Sequence, residues 1–329
     1  KRGWCTRRAF FETTLLAAAG LATGCERRGE PVPVEAAAGE EVLFDESRPA
    51  LNLPSERSAD VIVVGGGGAG LAATARAAEL GASVIVLEKT SAVGGNTLIA
   101  SGYYAAVDPE RQAPLGILDS VENFYGLLLA NAGPSADTGR LMRMAVEARP
   151  VMRWLESLGV AFSRDVFEIS GSLFPRNYKP VMPNGEGYVR QLGARAGQLG
   201  VRVLRNTRAT ALESSMTTQG VPRITGVTAE LADGTTAHFT GRLGIVVATG
   251  GFSANPEMIA RYAPQCKGLT HDNVPSATGE MILAAEKAGA KLVDMGIVQC
   301  QPGCPVGGTR RVRFHNDVKR FVLLDGEGR

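Results

Sequence analysis

Apolar and polar positions along the chain follow two rhythms. Val61, Ile62, Val63 and Val64 form an unbroken β-branched run, the pattern of a strand covered on both faces. Leu71, Ala72, Ala75 and Ala78 then recur at helical spacing, and Gly81 stands where that helix should be capped. Residues 83–87 return to the strand pattern and end on Glu88. Another buried strand is predicted over residues 245–248. The stretches carrying Phe124, Tyr125, Met142, Met144 and Met152 read as helices with these side chains in the core. Residues 26–58 show no sustained period and carry Pro31, Pro33, Pro49 and Pro54, so a flexible tether is expected there. Strand, helix and strand in close succession predict an α/β fold.

Between the first strand and its helix, Gly65, Gly67 and Gly70 form a G-x-G-x-x-G spacing, with Gly68 and Ala69 inside it. In such a turn the first glycine permits the bend and the second lets backbone N–H groups approach a pyrophosphate. The third lets helix and strand pack closely, so that the helix N-terminus faces the anion. Glu88, eighteen residues beyond Gly70, is placed to accept hydrogen bonds from a ribose diol, with Lys89 beside it. The plainer alternative is a glycine-rich turn without a ligand, but strand, helix, second strand and acid all occur in the expected order. Gly94, Gly95, Asn96 and Thr97, followed by Ser101 and Gly102, suggest a second backbone loop against the same ligand. By themselves these residues are equally compatible with an ordinary turn.

Composition narrows the classes. The 329 residues allow one large domain or two ordinary ones. A net charge of +2 and 21% charged residues argue against nucleic acid as a partner. No stretch reaches the roughly 20 apolar residues needed to span a bilayer. His238, His271 and His315 have no metal-ligand spacing, and no C-x-x-C occurs, so no metal is expected. Cys300 and Cys304 are left open between a disulfide and free thiols.

The beginning reads as an address. Residues 6–11 carry a twin-arginine pattern, Arg7-Arg8, followed by an apolar stretch to Thr23 and then Gly24-Cys25. Residues 22–25 are also similar to a lipobox, which would put a lipid on Cys25 and hold the protein on a membrane surface; an ordinary cleavage site is the alternative. A periplasmic or other extracytoplasmic location follows. The chain starts at Lys1 and stops just after the strand-like residues 321–324, so both ends are expected to be incomplete.

Taken together, G-x-G-x-x-G, Glu88-Lys89, Gly94-Gly95-Asn96-Thr97 and the Ala248-Thr249-Gly250-Gly251-Phe252 phrase resemble the flavoprotein family of soluble fumarate reductases and flavocytochrome c, with urocanate reductase and the 3-ketosteroid 1-dehydrogenases as relatives. The resemblance implies FAD and a Rossmann-like FAD-binding domain with a helical insertion (about 108–195) and the beginning of a capping domain. The expected division is a signal with lipobox over 1–25, the tether over 26–58, the FAD-binding domain over 59–295 and the start of the cap over 296–329.

The same resemblance implies an oxidoreductase acting on CH–CH or C=C groups, with hydride passing between flavin N5 and a carbon of an activated alkene. It places Gly65, Gly67, Gly68, Ala69 and Gly70 at the pyrophosphate and Glu88 at the adenosine ribose. Gly94, Gly95, Asn96, Thr97, Ser101 and Gly102 would lie along the flavin half, with Ala248, Thr249 and Gly250 on the adenine side. Glu280 stands for the aspartate of the family's G-D-G. The family's catalytic arginine follows an R-F-V-N-E phrase; Arg320-Phe321-Val322 resembles its opening, and Arg329 falls near the expected position. Gln301 occupies the place of a substrate-binding histidine, which weakens a dicarboxylate clamp because glutamine carries no charge. Arg313 and His315 could face an anionic substrate or belong to a solvated loop. The expected substrate is therefore an enoate other than fumarate. Without C-x-x-C-H no c-type haem is attached, so a separate electron donor (a cytochrome, an FMN protein or a quinol-linked carrier) is implied. A dehydrogenase running the reverse chemistry and a noncatalytic electron carrier are the alternatives. Tyr103 and Tyr104 stand between an acid–base role and a wall of the site. Arg176, Tyr178 and Lys179 are expected in a loop at the flavin edge.

Overall fold

The computed structural model describes residues 57–169, 172–300 and 327. From β1 (Ser58–Val64) the chain enters α1 (Gly68–Glu79) and returns as β2 (Val84–Leu87). The short α2 (Gly95–Ile99) and β3 (Tyr104–Ala105) lead into an inserted region. It comprises α3 (Pro109–Gln112), α4 (Val121–Asn131), α5 (Thr138–Ser157), β4 (Phe167–Ile169) and β5 (Ser172–Tyr178). After α6 (Glu186–Gln198) come β6 (Arg202–Leu204), β7 (Arg208–Met216), β8 (Pro222–Glu230) and β9 (Thr236–Val247). α7 (Pro256–Tyr262) and α8 (Glu280–Lys287) complete the order.

The main sheet runs β6-β2-β1-β9-β8-β7. β1 is parallel to β2, β2 to β6 and β1 to β9, whereas β7, β8 and β9 form an antiparallel meander. The β-branched run of β1 is buried on both faces, as its pattern predicts. Ile62 and Val64 pack with Ile85, Leu87, Phe239 and Met281, while Val63 packs with Val84 and Val86 on the other side. Such two-sided burial follows from the period of two along a strand. β9 is long because it serves two neighbours, pairing with β8 over residues 236–240 and with β1 up to Val247. Beyond Thr240 it has no pairing with β8, and Val247 is 41% exposed, so the strand predicted over 245–248 is less buried than expected.

The inserted region is not wholly helical. β3, β5 and β4 form a small antiparallel sheet. Arg176 and Tyr178, expected in a loop, lie on its central strand with both side chains buried. Pro175 conceals this strand in the sequence, since proline cannot donate to a ladder. The pairing of β4 with β5 is irregular between Phe167 and Ile169, opposite that stretch, so its missing N–H is not called on. In α5 the buried stripe is Ala145, Ala148, Met152 and Leu155 at helical spacing. Met142 and Met144 flank it and are 39% and 51% exposed, contrary to the core role expected of them. Phe124 of α4 is buried as expected. No helix among the described residues is long and apolar enough to cross a membrane.

Candidate functional site

A cleft of about 260 Å³ opens where β1 and β2 end, between the first turn of α1, the start of α2, the segment after β9 and the residues leading into α8. Sequence dictates its floor. Gly65 has φ of +102°, and a Cβ there would stand 2.6 Å from the carbonyl oxygen of Ala248. A Cβ on Gly70 would collide with the carbonyl oxygen of Gly65, so the third glycine lets α1 sit against the turn. Around Gly67, by contrast, a Cβ would meet nothing nearer than the Gly94 carbonyl oxygen at 3.9 Å. The space beside the loop is thus open just where a ligand would need it.

α1 begins with neither a side-chain cap nor an acidic residue in its first turn. Its partial positive end is left to whatever enters the cleft. Gly94 N donates to the Gly66 carbonyl at 2.8 Å, and Gly68 N donates to Thr97 Oγ1 at 3.0 Å. Asn96 Oδ1 accepts from Val274 N at 2.8 Å. The acceptor atoms of Asn96 and Thr97 therefore tie the two glycine loops to the far wall, leaving their own donors for a ligand.

Glu88 is nearly buried and fixed from both sides. Its Oε2 accepts from Gly66 N at 2.8 Å, and its Oε1 accepts from the backbone N–H and hydroxyl of Thr90, each at 2.8 Å. A carboxylate offers about four lone-pair directions. Three are taken, and the remaining acceptor capacity is presented at the cleft, which Glu88 lines. Lys89 Nζ donates to Thr278 Oγ1 at 2.7 Å and pairs with Glu280 Oε2 at 3.1 Å, closing β2 onto the first turn of α8. Open helix end, unfilled glycine loop and oriented carboxylate together fit an anionic diphosphate with a ribose diol.

Of the residues singled out in the sequence, Gly65, Gly67, Gly68, Ala69, Glu88, Lys89, Gly95, Asn96, Thr97, Ala248, Thr249, Gly250 and Glu280 line this cleft. Gly70 lies beneath the loop and Gly94 caps α2, so they shape the site without lining it. Ser101 and Gly102 are not brought to the cleft. Gly102 packs against Asn184, and its carbonyl accepts from the Tyr188 hydroxyl at 2.7 Å, which joins this loop to α6. Gln301, Arg313, His315, Arg329 and Cys25 lie outside the described residues.

Sequence reasoning overlooked Thr90, which orients Glu88, and the walls formed by Thr207, Val274 and Ser276. No periodicity marks 274–276, and Thr207 arrives only because its N–H donates to the Glu88 carbonyl at 2.8 Å. Tyr104 is a wall residue away from the cleft. Its hydroxyl donates to the Ala148 carbonyl at 3.0 Å, and burial pushes its pKa up to about 12. Burial likewise pushes the Tyr178 hydroxyl up, and the Arg111 guanidinium lies over its ring.

Known proteins share this architecture. The pattern of the FAD binding domain family matches residues 60–328. The chain is 30% identical to the NADH:acrylate oxidoreductase of Vibrio harveyi, over 83% of this chain and 33% of that protein. It is 35% identical to the urocanate reductase of Eggerthella lenta, over 82% of this chain and 45% of that one. Among solved structures, the 3-ketosteroid-Δ4-(5α)-dehydrogenase of Rhodococcus jostii RHA1 superposes with a TM-score of 0.67 at 30% identity, covering 73% of this chain and 55% of that one. The chain thus spans about a quarter to a half of the length of the curated relatives it matches. An α/β sheet with this cleft, matched to that family over most of its length, belongs to the FAD binding domain family, and FAD is its cofactor.

Proposed function

We propose that this chain is the FAD-binding part of an exported reductase that delivers hydride to an activated alkene, an enoate other than fumarate. The observation that carries the reading is the cleft itself, with its open helix N-terminus and oriented Glu88, in a chain related to reductases named for acrylate and urocanate. When bound, FAD supplies the two-electron hydride chemistry. The chain's own residues supply binding and orientation. Gly65, Gly67, Gly68 and Ala69 shape the loop that sets the positive end of α1 against the pyrophosphate; the Gly65 and Gly68 N–H groups hold that loop in place, bonded to the Leu87 carbonyl and to Thr97 Oγ1. Glu88 accepts from the adenosine ribose. Gly95, Asn96 and Thr97 hold the flavin half, and Lys89, Ala248, Thr249, Gly250 and Glu280 border the adenine side.

Substrate contact falls to residues 296–329 as the start of a cap. Arg313 and His315 would bind and polarise the carboxylate of the enoate, making its β-carbon the better hydride acceptor. Gln301 donates a neutral hydrogen bond where a second charge would favour a dicarboxylate, and Arg329 is the proton-donor candidate. A separate electron donor, the twin-arginine route and a lipid on Cys25 belong to the same proposal.

The test uses the full-length protein, chemically reduced without oxygen and mixed with fumarate, urocanate, cinnamates and methacrylate while the flavin band is followed. Rapid reoxidation by one enoate other than fumarate is expected. A reduced flavin that ignores every alkene would end the proposal. The likeness to the ketosteroid dehydrogenase favours one second reading, a dehydrogenase. In that case the oxidised flavin is bleached by a steroid or a saturated acid instead.

A further inference from the structure

Two cysteines distant in sequence meet beside the cleft. Cys266 ends the single helical turn that follows α7 and is buried; Cys300 is exposed; their sulfurs lie 3.7 Å apart, and both are free thiols. The segments that carry them are docked independently of the sulfurs. The Gln265 side chain donates to the Gly296 carbonyl at 3.1 Å, and a Cβ on Gly296 would stand 3.1 Å from the Tyr262 carbonyl oxygen. The 254–266 segment in turn leans on the cleft wall. Ala254 N donates to the Ala277 carbonyl at 2.9 Å, and the Met258 side chain would meet a Cβ on Gly279. Ala277 and Gly279 both line the cleft.

We propose that Cys266 and Cys300 are a reversible disulfide pair, closed by exchange with a protein or small-molecule disulfide, that staples the segment entering residues 301–329 to the wall of the cleft. Closure requires the sulfurs to approach from 3.7 Å to about 2.05 Å, which rotation of the exposed Cys300 side chain can supply. Burial pushes the Cys266 thiol up, so Cys300 attacks first. Its thiolate bonds to one sulfur of the oxidant disulfide and releases the other as a thiol. Cys266 then attacks the Cys300 sulfur and expels the second thiol. The two protein thiols give up two electrons and two protons, and the oxidant disulfide takes up both.

The experiment treats the full chain with oxidised glutathione, blocks the remaining thiols by alkylation and digests with trypsin. The expected product joins peptide 262–267 to peptide 292–310, weighs two hydrogens less than the sum of its parts and separates on reduction. Because the second peptide also contains Cys304, variants decide the partner: Cys304→Ser should retain the cross-link and Cys300→Ser should lose it. Oxidation should also raise the thermal midpoint of the unaltered protein by several degrees, with no such rise in Cys300→Ser. A bridge confined to peptide 292–310, a cross-link that survives Cys300→Ser, or glutathione adducts that never resolve would each overturn the pairing.

Discussion

Around the cleft, β1, α1 and β2 are built from small apolar residues and glycine, and their geometry is set by how closely backbones approach. The inserted region carries its charges inside. Arg176 and Asp119 are both buried and joined by two hydrogen bonds, at 2.7 and 3.0 Å, with the guanidinium 4.5 Å from the rings of Phe124 and Phe174. Asp108, fully buried, pairs with Arg111, Arg149 and Arg153. The contrast is one of reach. A backbone contact such as Gly65 against Gly70 is specified within a few residues, whereas Arg176 finds Asp119 across 57 positions. Backbone packing leaves an open helix end free to bind. Buried ion pairs leave little free, because each charge must be answered within the fold.

The largest expected effect lies in the insertion. Asp119→Ala leaves Arg176 buried without its partner and should cost about 3–5 kcal/mol in urea unfolding. Combining it with Arg176→Met should restore much of the loss, because the stranded charge is gone. If the single change costs under about 1 kcal/mol, the pair does not organise this region and the comparison fails at that end.

At the cleft, Gly70→Ala drives a methyl group into the Gly65 carbonyl and should cost about 1–3 kcal/mol while displacing the loop. Flavin content of the full-length variant should fall alongside stability; a variant that keeps both would show that the close approach is dispensable. Glu88→Ala should separate the two properties. It removes the acceptor proposed for the ribose and should weaken FAD binding about 10- to 100-fold in a flavin titration, with a smaller loss in unfolding. Unchanged affinity would exclude Glu88 from the cofactor.

The smallest effect concerns pH. Burial by itself would raise the Glu156 carboxyl, but Arg111 and Arg153 outweigh it and hold the pKa below its usual 4.5. A carboxyl depressed in the folded state adds stability that is present above about pH 4.5 and is lost as pH falls through the folded value. Glu156→Gln should therefore flatten the acid limb of stability against pH, by about 1 kcal/mol or less for a partly exposed pair. An unchanged acid limb would mean that this outer part of the ionic network is idle.

Sequence alone determined the β1–α1–β2 unit and most of the cleft. A β-branched run, a glycine spacing and an acid after the second strand are local constraints on backbone, and each can be read without knowing what lies across the sheet. Tertiary structure decided the rest. Nothing in 274–276 announces a wall, and nothing near Arg176 announces that it lies on the central strand of a small sheet. Gly102 reads in the sequence as part of a ligand loop, and what the sequence does not show is that its carbonyl accepts from the Tyr188 hydroxyl of α6. The physical reason is the same in each case. A backbone constraint acts over a turn, whereas a side chain's role depends on the neighbour that burial brings to it, and that neighbour lies tens of residues away.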